Sequence, residues 1–263
     1  MTAARADQTA TWLRRLRPVA SPWVRLVCFP HAGGSAQYFR PWRTELPPDL
    51  ELYAVQYPGR LDRIGDPTVT DMATLTTAVA AAVRPLTDRP VALFGHSLGG
   101  SVAYEVARRL AAGPGPAPVR LFVSGRPAPD RQRDTAKHLA TDDELWDELR
   151  RLGGTDGETI TNPDLREVFL PVLRNDYRLA ETYRLAPGPP LPCPISAVLG
   201  DRDPEVTPDE ARSWAAYTDG GFTIRVLPGD HFYLSPPKPD LVDEVIRRLA
   251  QSVPRPAPGW AGP

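Results

Sequence analysis

Residues 91–100 read Val-Ala-Leu-Phe-Gly-His-Ser-Leu-Gly-Gly: an apolar run, then a pentapeptide of the form G-x-S-x-G (95–99), then a helical pattern that continues to Ala111 and stops at Gly113. A strand that turns this sharply into a helix strains the residue at its tip and crowds the positions two away. Gly95 and Gly99 supply the small residues required there. The turn lifts the Ser97 hydroxyl above the sheet edge at a helix N-terminus, where free backbone N–H groups stabilise negative charge. This context reads as a nucleophilic serine. The plainer alternative is a glycine-rich turn with an N-cap serine.

Apolar and β-branched runs alternate with helical periodicity on both sides of this turn. Val24–Phe29, Leu50–Val55, Val119–Val123, Ile195–Leu199 and Phe222–Leu227 read as further strands. Asp71 opens a helix in which Met72, Leu75, Val79 and Val83 recur at helical spacing, and Leu241–Leu249 is a final amphipathic helix. Thr207, Pro208 and Glu210 spell a helix start: N-cap, first-turn proline and capping-box glutamate. The alternation predicts an α/β domain with a mostly parallel central sheet flanked by helices.

The alternation fails between Ser124 and Ile195, where about 70 residues carry helical pattern and no strand. Thr141 and Glu144 form a capping box ahead of Leu145–Leu152, with Gly153–Gly154 as the stop. Asn162–Pro163 starts a second helix, which Pro171 should kink or end. An insertion of this size reads as a helical lid over a binding site, spanning about residues 126–190. Leu145, Trp146 and Leu149 lie at helical spacing within it, and Phe169, Leu170 and Leu173 form a second cluster, with one or two of the six expected to face the pocket. The lid is expected to be more mobile than the sheet and to gate entry. The domain is expected over 23–250, between an N-terminal extension (1–22) and a frayed Pro/Gly-rich tail (251–263).

With 41% hydrophobic and 24% charged residues, the chain is no disordered segment. Lys+Arg 31 against Asp+Glu 32 leaves a net charge of −1, which argues against a nucleic-acid partner. Cys28 and Cys193 fit no metal or redox spacing, and Cys28 lies inside an apolar strand, as a buried thiol would. No apolar stretch is long enough to cross a membrane, and residues 1–18 lack the apolar core of a secretory signal. A cytoplasmic protein without cofactor or metal is expected.

A serine nucleophile needs a base, and the base needs a carboxylate to hold its tautomer. Of the four histidines, His31 and His96 precede the serine, His96 as its immediate neighbour, and His138 lies in the insertion. His231 follows the last strand in Pro228–Gly229–Asp230–His231–Phe232, and it alone fits the chain order serine, acid, histidine. The loop Gly200–Asp201–Arg202–Asp203–Pro204 offers two acids. Asp201 equally suits a loop cap through local N–H groups, so position alone leaves the choice open; Asp230, next to His231, ranks last. The oxyanion donors would be the Leu98 N–H and one from Pro30–His31–Ala32–Gly33–Gly34, with Ala32 ahead of Gly33.

Taken together, FPHAGG (29–34), YPGR (57–60), GHSLGG (95–100), GDRDP (200–204) and PGDHF (228–232) resemble, in this order, the type II thioesterases. These stand-alone enzymes accompany modular polyketide synthases and non-ribosomal peptide synthetases. The resemblance covers about residues 23–250 and implies an α/β-hydrolase fold with a helical lid. It also implies hydrolysis of acyl groups from the phosphopantetheine arm of carrier proteins, which clears stalled or misprimed chains. Ser97 is then nucleophile, His231 base, and Asp203, the second aspartate of G-D-x-D, the acid. Leu98 stands where methionine is frequent, which a backbone donor tolerates.

Three rivals share parts of this pattern: a carboxylesterase, lipase or peptidase with the same triad, a product-releasing or cyclising thioesterase domain, and an inactive hydrolase used as a scaffold. The missing signal peptide and disulfides argue against a secreted lipase. The absence of a carrier-type Asp-Ser-Leu and the initial methionine argue against an excised domain, and the intact triad residues argue against a scaffold. The expected partner is an acyl-phosphopantetheinyl carrier protein, acidic by the same resemblance. Arg126, Arg131 and Arg133 are either a local docking patch for it or an ordinary solvated arginine face, and the sequence leaves the two open.

Overall fold

Apolar residues on both faces of a strand place it in the middle of a sheet, covered on each side. That is the case for β2 (Val24–Phe29), β4 (Val91–His96), β5 (Arg120–Ser124) and β6 (Ile195–Gly200), in each of which nearly every residue is buried. The computed structural model describes residues 3–152 and 163–255. Within them β1 (Leu13–Arg17), β3 (Leu50–Val55) and β7 (Phe222–Leu227) complete a seven-stranded sheet of order β1-β3-β2-β4-β5-β6-β7. All neighbours run parallel except β1, which pairs antiparallel with β3.

The pleat sends alternate residues to opposite faces. Val27, Phe29, Leu93 and Val123 join one core with the helices Met72–Val83 and Leu98–Ala112. Leu26, Cys28, Phe94 and Phe122 join the other with Trp42 and the helix Pro239–Ser252. This two-sided α/β architecture is that of the α/β-hydrolases.

Two expectations change. Residues 13–17, assigned above to an extension outside the domain, form the edge strand β1. Their sequence LRRLR reads as polar because an edge strand buries little, and charge protects its open side from further pairing. Arg15 and Arg25 reach the buried Glu51 of β3; burial pushes that carboxyl up, but the two guanidinium groups outweigh it and hold it below its ordinary value. At the other end the Trp23 indole donates to the Val253 carbonyl (3.1 Å) and Arg255 pairs with Asp49 (2.7 Å), so the tail is anchored at least to residue 255.

The insertion holds the helices Asp142–Leu152 and Pro163–Thr182. The Thr141–Glu144 capping box is formed. The stop at 153–154 and the start at Asn162 lie outside the described residues. Pro171 does not end the second helix. It is exposed, and burial of Leu170, Val172 and Leu173 around it offsets the lost hydrogen bond. The two sequence clusters form one small core: Leu145, Trp146, Leu149, Leu170 and Leu173, with Phe169 against it.

Candidate active site

Ser97 sits between β4 and the helix Leu98–Ala112 with φ +53° and ψ −122°, a strained conformation for a residue with a side chain. The surroundings hold it there. The Ser97 N–H donates to the Ser124 carbonyl of β5 (2.8 Å). A Cβ on Gly99 would overlap the Phe29 carbonyl oxygen, and one on Gly95 would overlap that of Gly99. Both glycines are therefore demanded by close backbone approach, as the pentapeptide suggested.

His231 lies in the loop after β7 with its side chain 2% exposed, and its Nδ1 is 2.9 and 3.0 Å from the two Asp203 oxygens. Asp203 Oδ1 also accepts from the Glu205 N–H (2.9 Å). Asp201 does something else: half-exposed, it accepts from the Gly229 N–H (2.8 Å) and ties the loop after β6 to the loop carrying His231. Asp230 accepts from the Phe232 N–H. Ser97 and His231 line one cavity, with His31, Ala32, Leu98 and Phe232, and make no direct hydrogen bond to each other.

The other histidines are engaged differently. His96 turns its Nδ1 to Ser124 Oγ (3.0 Å), away from Ser97, and its ring packs against that of His231 at 4.9 Å. Burial, helped by His231 and His31, keeps it well below the ordinary histidine pKa. His31 is brought down to about 3 by burial, with His231 and Arg60 adding to it. Both are neutral. His138 pairs with Glu181 in the insertion.

In the loop after β2 the two candidate donors separate. The Gly33 N–H is taken by Asp176 Oδ2 (2.8 Å), while Ala32 lines the cavity. Leu98, at the first position of its helix, has an N–H that the helix leaves unpaired. The insertion closes the cavity with Leu149, Leu152, Leu173, Tyr177 and Ala180, and its rim is charged: Lys137 with Glu148 and Glu205, and Glu181.

The structure divides the three arginines read as a dock or a solvated face: Arg131 and Arg133 are exposed, and Arg126 is not. Arg126 points inward, donating to Ser101 Oγ (2.9 Å) and the Ala180 carbonyl (3.2 Å), and burial lowers its pKa to about 10. Arg133 is paired with Glu210 (3.0 Å) and holds the Pro204 carbonyl beside Asp203 (2.7 Å). Arg131 contacts Asp130 and Ser213. Closeness in sequence gave no information on these acids and carbonyls. A wider groove beside Glu105, Arg108 and Pro192 lies at the far end of the helix Leu98–Ala112, roughly 20 Å from Ser97. It contains no paired nucleophile and base.

Sequence reasoning missed Asp176 altogether and gave Arg60 no role. These two form a buried bidentate pair (2.7 and 3.0 Å) beside the Ala32–Gly34 loop. The available signal was a lone acid in the helical series Phe169, Leu173, Asp176, Ala180, otherwise apolar.

The sequence matches the thioesterase domain family over residues 24–253. Thioesterase PikA5 of Streptomyces venezuelae is 43% identical over 239 residues, which cover 90% of this chain and 85% of that protein. A probable cadicidin biosynthesis thioesterase of Streptomyces griseus is 39% identical over 247 residues, 94% of this chain and 67% of that one. Among solved structures, the type II thioesterase BorB from the borrelidin biosynthetic cluster superposes with a TM-score of 0.83 at 43% identity, covering 92% of this chain and 98% of that one. The chain belongs to the thioesterase family and, within it, to the type II thioesterases.

Proposed function

We propose that the protein hydrolyses acyl thioesters held on the phosphopantetheine arm of carrier proteins, with Ser97 as nucleophile, His231 as general base and Asp203 as the acid that orients it. The observation that carries this is the buried His231–Asp203 contact in the cavity that Ser97 also lines. An ionised carboxylate only accepts hydrogen bonds, so Asp203 fixes the His231 proton on Nδ1 and leaves the Nε2 lone pair for Ser97.

Ser97 Oγ attacks the thioester carbonyl as its proton passes to His231, and the Ala32 and Leu98 N–H groups hold the oxyanion. The tetrahedral species collapses, the C–S bond breaks, and His231 returns the proton to the departing thiolate. Water, deprotonated by His231, then attacks the acyl-Ser97 ester, and collapse releases the carboxylic acid and regenerates the serine. The carrier stays outside while its arm reaches between insertion and sheet. A role in clearing blocked acyl chains from polyketide or non-ribosomal peptide synthesis follows from the type II relatives.

The test compares one acyl group on a carrier protein, on pantetheine alone and in a matched oxygen ester. kcat/KM should fall in that order. A faster oxygen ester would turn the assignment toward a carboxylesterase, and equal values for carrier and pantetheine would show that docking contributes nothing.

A further inference from the structure

The long insertion helix touches the Ala32–Gly34 loop through one face. Phe169, Leu173 and Asp176, spaced four and three apart, come to lie one above the other. A Cβ on Gly33 would fall 2.5 Å from Phe169 Cζ and 3.2 Å from Leu173 Cδ1, so the helix lies directly on that residue. Gly33 has φ +76°, a left-handed conformation that orients its own N–H. That N–H is received by Asp176 Oδ2 (2.8 Å). Arg60 fixes the carboxylate with two hydrogen bonds and with the same guanidinium donates to the Gly34 carbonyl (3.1 Å). Arg60 is itself tied in, its Nε donating to the Pro58 carbonyl and its own carbonyl accepting from Gln56, whose Oε1 receives the Ala36 N–H. Arg60 and Asp176 are both buried.

We infer that Asp176, held by Arg60, is a positioning residue for the oxyanion hole: by binding the Gly33 N–H it fixes the Ala32–Gly33 peptide and, through the Ala32 dihedrals, the adjoining peptide whose Ala32 N–H is the proposed donor at the cavity. The inference rests on the thioesterase reading above and adds a consequence to it. The insertion helix is part of the catalytic apparatus from Phe169 to Asp176, and it cannot swing away as a unit without releasing the loop. Substrate entry therefore uses movement elsewhere in the insertion. Asp176 touches no substrate; it acts through the Gly33 peptide.

Removing either charge alone leaves its partner buried and uncompensated, so the test removes both. Arg60→Met/Asp176→Leu deletes the pair and the acceptor, whereas Arg60→Met/Asp176→Asn deletes the charges but keeps an acceptor for Gly33. Both lose the Arg60 bond to Gly34, so their difference isolates the Gly33 contact. Kinetics on an acyl-pantetheine thioester are measured alongside the affinity for a trifluoromethyl ketone analogue, which forms a tetrahedral adduct with the serine. Loss of one oxyanion donor costs roughly 10²–10³ in kcat. The leucine variant should fall by up to that factor in kcat, with KM changed less than about threefold and analogue affinity reduced in parallel. The asparagine variant should recover most of it. Equal kcat in the two folded variants, or a change in KM alone, would overturn the positioning role. Ser97→Ala, assayed with them, separates the failures: if it is inactive while the pair variants match wild type, only the inference falls; if it is active, the underlying reading falls too.

Discussion

The carboxyl edge of the sheet and the helical insertion meet at the same cavity but are built differently. At the sheet edge, position is imposed by backbone: parallel ladders through β2, β4, β5 and β6, and glycines at 95 and 99 where no Cβ fits. Among the described residues the insertion has a small apolar core of its own, rests Leu179, Ala180 and Tyr183 on the main core, and is held besides by charged side chains. Asp176 engages Arg60, the Ala180 carbonyl engages Arg126, and Lys137 bridges Glu148 and Glu205. Arg174 reaches Asp142 (2.6 Å) and the carbonyls of His138 and Ala140. The proposed triad sits on the first region, while the second is secured largely by side-chain contacts, of which the buried Asp176–Arg60 pair reaches the proposed oxyanion loop.

The largest effect that would test this division lies between two aspartates two residues apart. Asp203→Asn should lower kcat on the order of 10⁴-fold by presenting the wrong His231 tautomer. Asp201→Asn, which alters the tie to Gly229 and the exposed pairing with Arg202, should change kcat by less than about tenfold and act mainly on stability. Reversal of the two effects in steady-state kinetics would move the acid to Asp201.

A core truncation should separate the two regions next. Leu145→Ala removes a fully buried side chain from the small insertion core and should cost about 2–5 kcal/mol there. Hydrogen exchange should show the loss in the helix Asp142–Leu152 while β4 keeps its protection. Equal loss in both would mean that insertion and sheet open as one unit.

Acid should resolve them by a smaller, graded effect. His31 and His96 have folded-state pKa values depressed below the ordinary value of about 6.5, so the unfolded chain binds protons that the folded chain refuses. Their contribution is intact above about pH 6.5 and is lost as pH falls below it, for His31 down to about 3 at up to about 1.4 kcal/mol per pH unit. In the insertion, Glu148 is held down to about 2 by its hydrogen bond from Arg151, with burial opposing and Lys137 adding. Its contribution persists above about pH 4.5 and is lost below, toward 2. Thermal unfolding between pH 7 and 5 should therefore report the sheet-edge histidines, and His96→Gln should flatten that slope. A slope unchanged by the substitution would remove His96 from this account.

What the sequence disclosed follows the same division. The central strands, the turn at Ser97 and the helix start at Thr207–Glu210 are local in their causes: apolar runs, small residues at fixed offsets, a capping box. His231 is singled out by elimination among four histidines, and Asp203 only by the family resemblance. The contacts of the insertion are non-local, and the sequence carried little sign of them. Arg60 and Asp176 are 116 positions apart, and each alone looks like an ordinary surface charge. Arg126, Arg131 and Arg133 looked like a free basic patch because their acceptors lie as far away as Ala180 and Glu210. β1 was hidden by arginines that suit an edge strand but break an apolar pattern.

On the proposed mechanism Ser97 carries the acyl group between two steps of thioester hydrolysis. This is tested most directly by rapid quench of the enzyme with an acyl-pantetheine thioester, followed by intact mass and peptide mapping. The account predicts a transient mass increase equal to the acyl group, mapped to Ser97, decaying as free acid appears, and absent from Ser97→Ala, whose turnover falls by about 10⁴-fold or more. Acyl label on another residue, or wild-type hydrolysis by Ser97→Ala, would contradict it.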